Sequence, residues 1–343
     1  MRAIPNLPKI AISKQSLLLY GGYVAFFLTC FVLFAYWTFP YERVRDLLMA
    51  KVAENPSPGA RTKLTIGELG PHWLSGVAMS AVALERSTGT ADETPSRLAF
   101  DELTLHASPL ALLFGGISLD FGAEIGDGEI DGSYEADEDE PTRVEAELDE
   151  VDLGQLGVGS YLGVPVAGAA TGTIDVTLAK EAAGTNGNVE LTIVGLRLAD
   201  GKTPVKIPGM GGGLTIAPVD AGTLEIKLTV RDGVATIEKM EAKGKDLELS
   251  GSGSVRIATP FAQSRADVTL GVKFAEGYKR SNEKTKLAFE LMEQNPLIKR
   301  SIGSDGMIRF KLSGPVTALR SAPAGPSVRT AKKRGKDAAP SEP

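Results

Sequence analysis

The chain has 343 residues, a formal net charge of −6, and 43% hydrophobic but only 6% aromatic residues; it is long enough for a sizeable core, and its charge excludes a strongly basic nucleic-acid binder. The single cysteine, Cys30, lies in an apolar stretch, which excludes a small disulfide scaffold and a thiolate metal site. The 39 glycines carry no collagen-like period and, with so few aromatics, suit many short strands joined by tight turns.

Residues 1–15 are a short tail, and Ser16 to Phe39 holds no charged residue. As a helix, 16–39 is ~36 Å long, enough to cross a ~30 Å hydrocarbon core. Tyr36, Trp37 and Tyr41 gather at its end, where interfacial aromatics are expected. A cleaved signal peptide has an apolar region of about 7–15 residues ending in small residues. This run is longer and ends in bulky ones, so the expectation is an uncleaved, single-pass transmembrane anchor. Arg2, Lys9 and Lys14 precede it and Arg43, Arg45 and Lys51 follow it, so the basic flanks tie. The amino terminus adds to the first side, and the tail is expected to be cytoplasmic, with the C-terminal part exported.

Residues 40–58 read as an amphipathic linker, helical over Tyr41 to Ala53. Val44, Leu47, Leu48 and Val52 share one face, and Pro56 and Pro58 end the helix. From there to residue 320 the pattern is β. Alternation begins at Leu64 and Ile66, then runs over Val77 to Leu84 and Leu98 to Leu105. Ser108-Pro109 starts a short helix through Phe114, stopped by Gly115-Gly116. Ile117 to Ile130 is a hairpin turning at Asp127-Gly128. Glu135 to Glu140 is an acidic hairpin tip, Val144 to Val151 alternates again, and Leu153 to Leu162 is a second short helix.

The C-terminal half alternates most clearly. Leu224, Ile226, Leu228 and Val230 share one face, as do Leu247, Leu249, Val255 and Ile257, then Val268, Leu270 and Val272. Such alternation means antiparallel strands with one apolar and one wet face. These eleven residues are the candidate lining of a core or of a lipid groove. A helix over Asn282 to Asn295 interrupts the strands and ends at Pro296. Residues 321–343 are rich in Pro, Ala and basic residues and read as a disordered tail. The fold class expected is mainly β: a long antiparallel sheet, curved or folded into a sandwich, with a few short helices. A loose Gly-led pattern recurs at Gly128, Gly172, Gly222, Gly253 and Gly306, each expected to open a strand after a turn.

Little in the sequence carries chemistry. His72, placed in a Gly70-Pro-His-Trp turn, and His106 lack further ligands at metal-binding spacing. No Gly-x-Ser-x-Gly elbow is present. Asp137 to Glu140 lacks the alternating oxygens and glycine of a calcium loop. Pro208 to Gly213 leads into a strand rather than a helix, so it is no phosphate cradle. No catalytic, cofactor or metal residue is assigned, and a non-enzymatic protein is expected.

Short tail, one span, then repeated Gly-led hairpins: this order resembles the GspN family, the N component of the type II secretion system, in its divergent delta-proteobacterial branch. The resemblance is carried by Leu64-Thr-Ile-Gly67 through Gly76-Val77, by Ser108-Pro-Leu-Ala-Leu-Leu-Phe-Gly-Gly116, and by Asp246-Leu-Glu-Leu-Ser-Gly-Ser-Gly253 with Pro260-Phe-Ala-Gln-Ser264. Similar Gly-punctuated strands occur in AsmA-like proteins. The resemblance implies a bacterial inner-membrane protein facing the periplasm, a non-catalytic scaffold with other type II secretion components as partners. The alternative it implies is an AsmA-like protein that binds or transfers phospholipid.

Overall fold

The computed structural model describes residues 14–54, 61–73, 75–87, 96–109, 111, 115–137, 140–206, 213–259, 263–317 and 319–324. The expected helix through Phe114, the Gly-rich 208–213 segment and the basic residues after 324 fall largely or wholly outside them. Helix α1 (Lys14–Thr38) matches the expected apolar segment. Its stretch Leu19–Thr38 has a mean hydropathy of 1.8 and is nowhere buried against the rest of the chain. Both Thr29 and Thr38 donate to the carbonyl four residues back, which leaves no free hydroxyl hydrogen on the helix surface at these positions. A helix of this length and composition fits a signal anchor or a signal sequence.

Helix α2 (Tyr41–Glu54) docks on the first strands through a side that overlaps the face its periodicity suggests: Val44 and Val52 are half-buried with Met49, while Leu47 and Leu48 are exposed. Met49 packs on Ile66, Met79 and Val82, and Arg45 Nη1 donates to Gly67 O at 3.2 Å. Leu47 remains 61% exposed and Leu48 37%. The helix thus has two apolar faces, one on the sheet and one turned outward.

Strands follow in the order β1 (Arg61–Thr65), β2 (Glu68–His72), β3 (Gly76–Ser87), β4 (Ser96–Ala107), β5 (Ile117–Ile125), β6 (Gly128–Ala136), β7 (Thr142–Asp152), β8 (Val166–Leu178) and β9 (Asn186–Leu198). After the two-residue β10 (Val205–Lys206) and β11 (Gly213–Leu214) come β12 (Val219–Arg231), β13 (Val234–Lys243), β14 (Leu247–Arg256), β15 (Arg265–Phe274), β16 (Ile308–Pro315) and β17 (Arg320–Pro323). All but β10 and β11, which pair with each other, form one 15-stranded antiparallel sheet. Its strands lie beside their neighbours in sequence, with β1 and β2 sharing the edge along β3 and with β17 at the far edge. The sheet does not close. Of the expected alternatives, the single long sheet is present, and among the described residues no second large sheet stacks on it to make a sandwich.

Local chemistry explains several details. Asp232 and Gly233 both take positive φ, 51° and 73°, the requirement of the tight turn joining β12 to β13. Residues 70–72, expected as a turn, belong to β2. Pro71 is tolerated because β2 is an edge strand, where a missing N–H costs no ladder bond. Of the Gly-led positions, Gly128 opens β6 and Gly306 just precedes β16, but Gly172, Gly222 and Gly253 lie inside strands. There they serve close approach rather than turns. A Cβ on Gly172 would strike Glu190 O of the next strand, and Gly222 sits at φ 70° in a bulge.

The principal core covers one end of one sheet face. It joins Ile125, Val151, Val166, Leu196, Val219, Leu224 and Leu247 to the short helices and connections laid over them. These are α3 (Leu153–Leu156), α4 (Val158–Leu162), the β9–β12 connection, α5 (Glu276–Lys279), α6 (Glu283–Gln294) and α7 (Pro296–Ser301). The Asp152 carboxylate caps α3, and the Asn282 side chain accepts from Thr285 N at 2.8 Å to start α6, as N-cap residues do. Tyr278 stacks with Phe274 and meets Phe289 edge-on. Its hydroxyl donates to Ala217 O at 2.6 Å, and burial pushes its phenol well above the usual range.

Candidate functional site, the apolar face of the sheet

Residues paired across antiparallel strands point to the same face, so the register can be followed as rungs across the sheet. One rung runs through Met79, Leu103, Ala123, Ile130, Leu148, Gly172, Leu191, Ile226 and Met240. A second runs through Val77, Leu105, Phe121, Gly132, Ala146, Ile174, Val189, Leu228 and Ile237. A third begins at Ala107 and continues through Leu119, Tyr134, Val144, Val176, Gly187, Val230, Ala235, Val255 and Ala266 to Gly314. No charged residue interrupts any of them.

The rungs of the opposite face are as uniformly polar. One of them passes through His106, Asp120, Ser133, Glu145, Asp175, Asn188, Thr229, Thr236, Ser254, Asp267 and Ser313. Ion pairs such as Lys227 with Glu190 at 3.0 Å stud this face. Where carboxylates crowd instead, as around Glu129, the charge of Asp131 chiefly holds the Glu129 carboxyl above its usual range.

All eleven sequence-derived candidates lie on the apolar face, and they divide into two groups. Leu247 at 1% exposure and Leu224 at 6% are buried in the core, against which Ile226, Leu249 and Val272 pack, and Val230 at 4% is buried outside the core clusters. Leu228, Val255, Ile257, Val268 and Leu270 are half-buried and outside the core clusters. So are Phe121, Ile174, Val189 and Ile237, which complete the open part of the face. The apolar surface therefore continues past the helical cover. A Cβ on Gly132 would collide with the Phe121 ring and with Glu145 O, so glycine lets Phe121 lie flat across the neighbouring strand on this open part.

Other sequence candidates are placed differently. His72 and His106 come together across β3, their rings edge to face at 4.8 Å, over Gly76, where a Cβ would meet His106 Nδ1. Among the described residues no group of three or more His, Cys, Asp or Glu side chains is arranged to hold a metal ion. Comparison with protein-family profiles, curated proteins and solved structures gives no match.

Proposed function

We propose that the protein is a membrane-anchored, non-catalytic accessory component of a type II secretion system, of GspN-like build, working through the apolar face of its sheet. In this reading α1 is the uncleaved anchor in the bacterial inner membrane and the sheet stands in the periplasm. The order of one apolar helix, then a docked amphipathic helix, then one long Gly-punctuated sheet supports the resemblance. The observation that carries the mode of action is the set of uninterrupted apolar rungs running past the helical cover. Apolar surface of that extent on a soluble face marks a binding surface.

A second reading, an AsmA-like protein that binds or transfers phospholipid, is favoured by one specific feature. A closed sandwich buries both inner faces, whereas here, among the described residues, no second large sheet lies opposite the apolar rungs, and acyl chains fit such a surface. The test is to crosslink and capture the intact protein from its native membranes, then to quantify the proteins and phospholipid that accompany it. Enrichment of secretion components without stoichiometric lipid supports the accessory role. Phospholipid at about one or more per chain without those components overturns it and leaves the lipid-binding reading.

A further inference from the structure

On the polar face, the register sets both unlike and like charges against each other. Glu85 lies opposite Arg97, Glu248 opposite Lys273 and Glu190 opposite Lys227, each within ion-pair distance. The facing lysines Lys227 and Lys239 each have a carboxylate partner, Glu190 and Glu225; at the far corner of the sheet two facing arginines do not. Arg256 on β14 is the direct partner of Arg265 on β15, and neither side chain has an ion pair or hydrogen bond among the described residues. Arg320, on the edge strand β17 opposite Ser313, brings a third guanidinium to the same hollow of about 720 Å³. Ser254, Asp267 and Ser313 also line it. The Asp267 carboxylate is already engaged in an ion pair with Lys311 Nζ at 3.0 Å.

Like charges directly opposite each other on adjacent strands are destabilising. Here they persist in an acidic chain with a formal net charge of −6, around a concave surface whose one carboxylate is neutralised. The planar guanidinium fork matches phosphate oxygens in bidentate fashion, and serine hydroxyls stand beside it as further donors. We propose that this hollow binds a phosphate-bearing anion, either a soluble phosphate or the phosphate of an anionic lipid headgroup. The site lies on the polar face, opposite the apolar rungs, and does not depend on the function proposed for them.

The test uses the full-length protein in neutral detergent micelles, titrated calorimetrically with inorganic pyrophosphate and separately with short-chain phosphatidic acid. Saturable binding of either probe is expected, weakened by about tenfold or more in the Arg256→Gln/Arg265→Gln double variant and unchanged in Arg197→Gln, a surface control. Binding of pyrophosphate alone assigns a soluble ligand; binding of phosphatidic acid alone assigns a lipid headgroup. Without anion, the double variant should melt no lower than the parent, because substitution relieves the repulsion. Absence of saturable binding by both probes, or an equal loss in Arg197→Gln, overturns the proposal.

Discussion

Replacing Leu247 by alanine and, separately, Leu228 by alanine distinguishes the covered part of the apolar face from the open part. Leu247 is 1% exposed, its strand partner is Phe274, and it sits in the core with Tyr278 and Phe289. Truncation removes three carbons at ~0.8 kcal/mol each and leaves a cavity, so the expected cost is about 3 kcal/mol. For a folded unit of this size that lowers the melting midpoint by about 6–12 °C. Leu228 is half-buried and outside the core clusters, so its truncation uncovers less apolar surface and leaves a smaller cavity. Its truncation should cost about 1 kcal/mol or less, about 2–4 °C. Thermal unfolding followed by circular dichroism in lipid nanodiscs reads both values and avoids free detergent that would coat the face. Equal losses at the two sites would refute the reasoning, since they would mean that another part of the chain covers Leu228 in solution.

Two further outcomes follow from particular contacts. Gly132→Val places branched carbons where the Phe121 ring lies and should cost about 1–3 kcal/mol by overpacking, seen as a lower urea midpoint; an unchanged midpoint would show that the ring moves freely. Arg309 first, and then the Met307 N–H, hold the Asp305 carboxyl at about 2, below its ordinary 3.8. A depressed acid stabilises the fold above its unfolded-state pKa and loses that contribution as pH falls through the folded one. Asp305→Asn should therefore be less stable than the parent at neutral pH, with the gap closing between about pH 4 and pH 2; a gap independent of pH would assign its effect to something other than this charge.

Much of this architecture can be read in the residues, because period-2 alternation at Leu224 to Val230 or at Val268 to Val272 identifies a strand and its apolar side together. The apolar helix, the helix after it and the one begun by Asn282 are legible for similar local reasons. What alternation does not encode is what lies opposite the apolar side, so one open sheet and two packed sheets look alike from the chain. Strands β9 and β13 stand outside the expected set, as do β2, read in part as a turn, and β17, Arg320–Pro323, which lies mostly in the segment read as a disordered tail. In β13, Lys239, Glu241 and Lys243 make the polar rungs outweigh the apolar ones and the segment reads as surface. The assignment of every Gly-led motif to a turn fails because glycine also answers close approach between strands, as at Gly172. The meeting of His72 with His106 and the opposition of Arg256 to Arg265 depend on register alone, which no single strand reveals.

The order of the sheet has a consequence for how the chain acquires it. Apart from the β10–β11 excursion and from β1, which pairs with β3 rather than β2, each strand hydrogen-bonds to its neighbours in sequence, so nearly every new strand finds its template in the one just placed. Assembly can then proceed by accretion from the amino-terminal edge as synthesis advances, with loop-closure costs that stay small at every step. Such a growing edge remains adhesive until something ends it. Here the last strand is short, Arg320–Pro323, and closes with a proline that has no N–H to offer a further strand. The far edge is in this sense a built terminator, and lengthening β17 with a proline-free extension should give a sheet that recruits further strands at that edge.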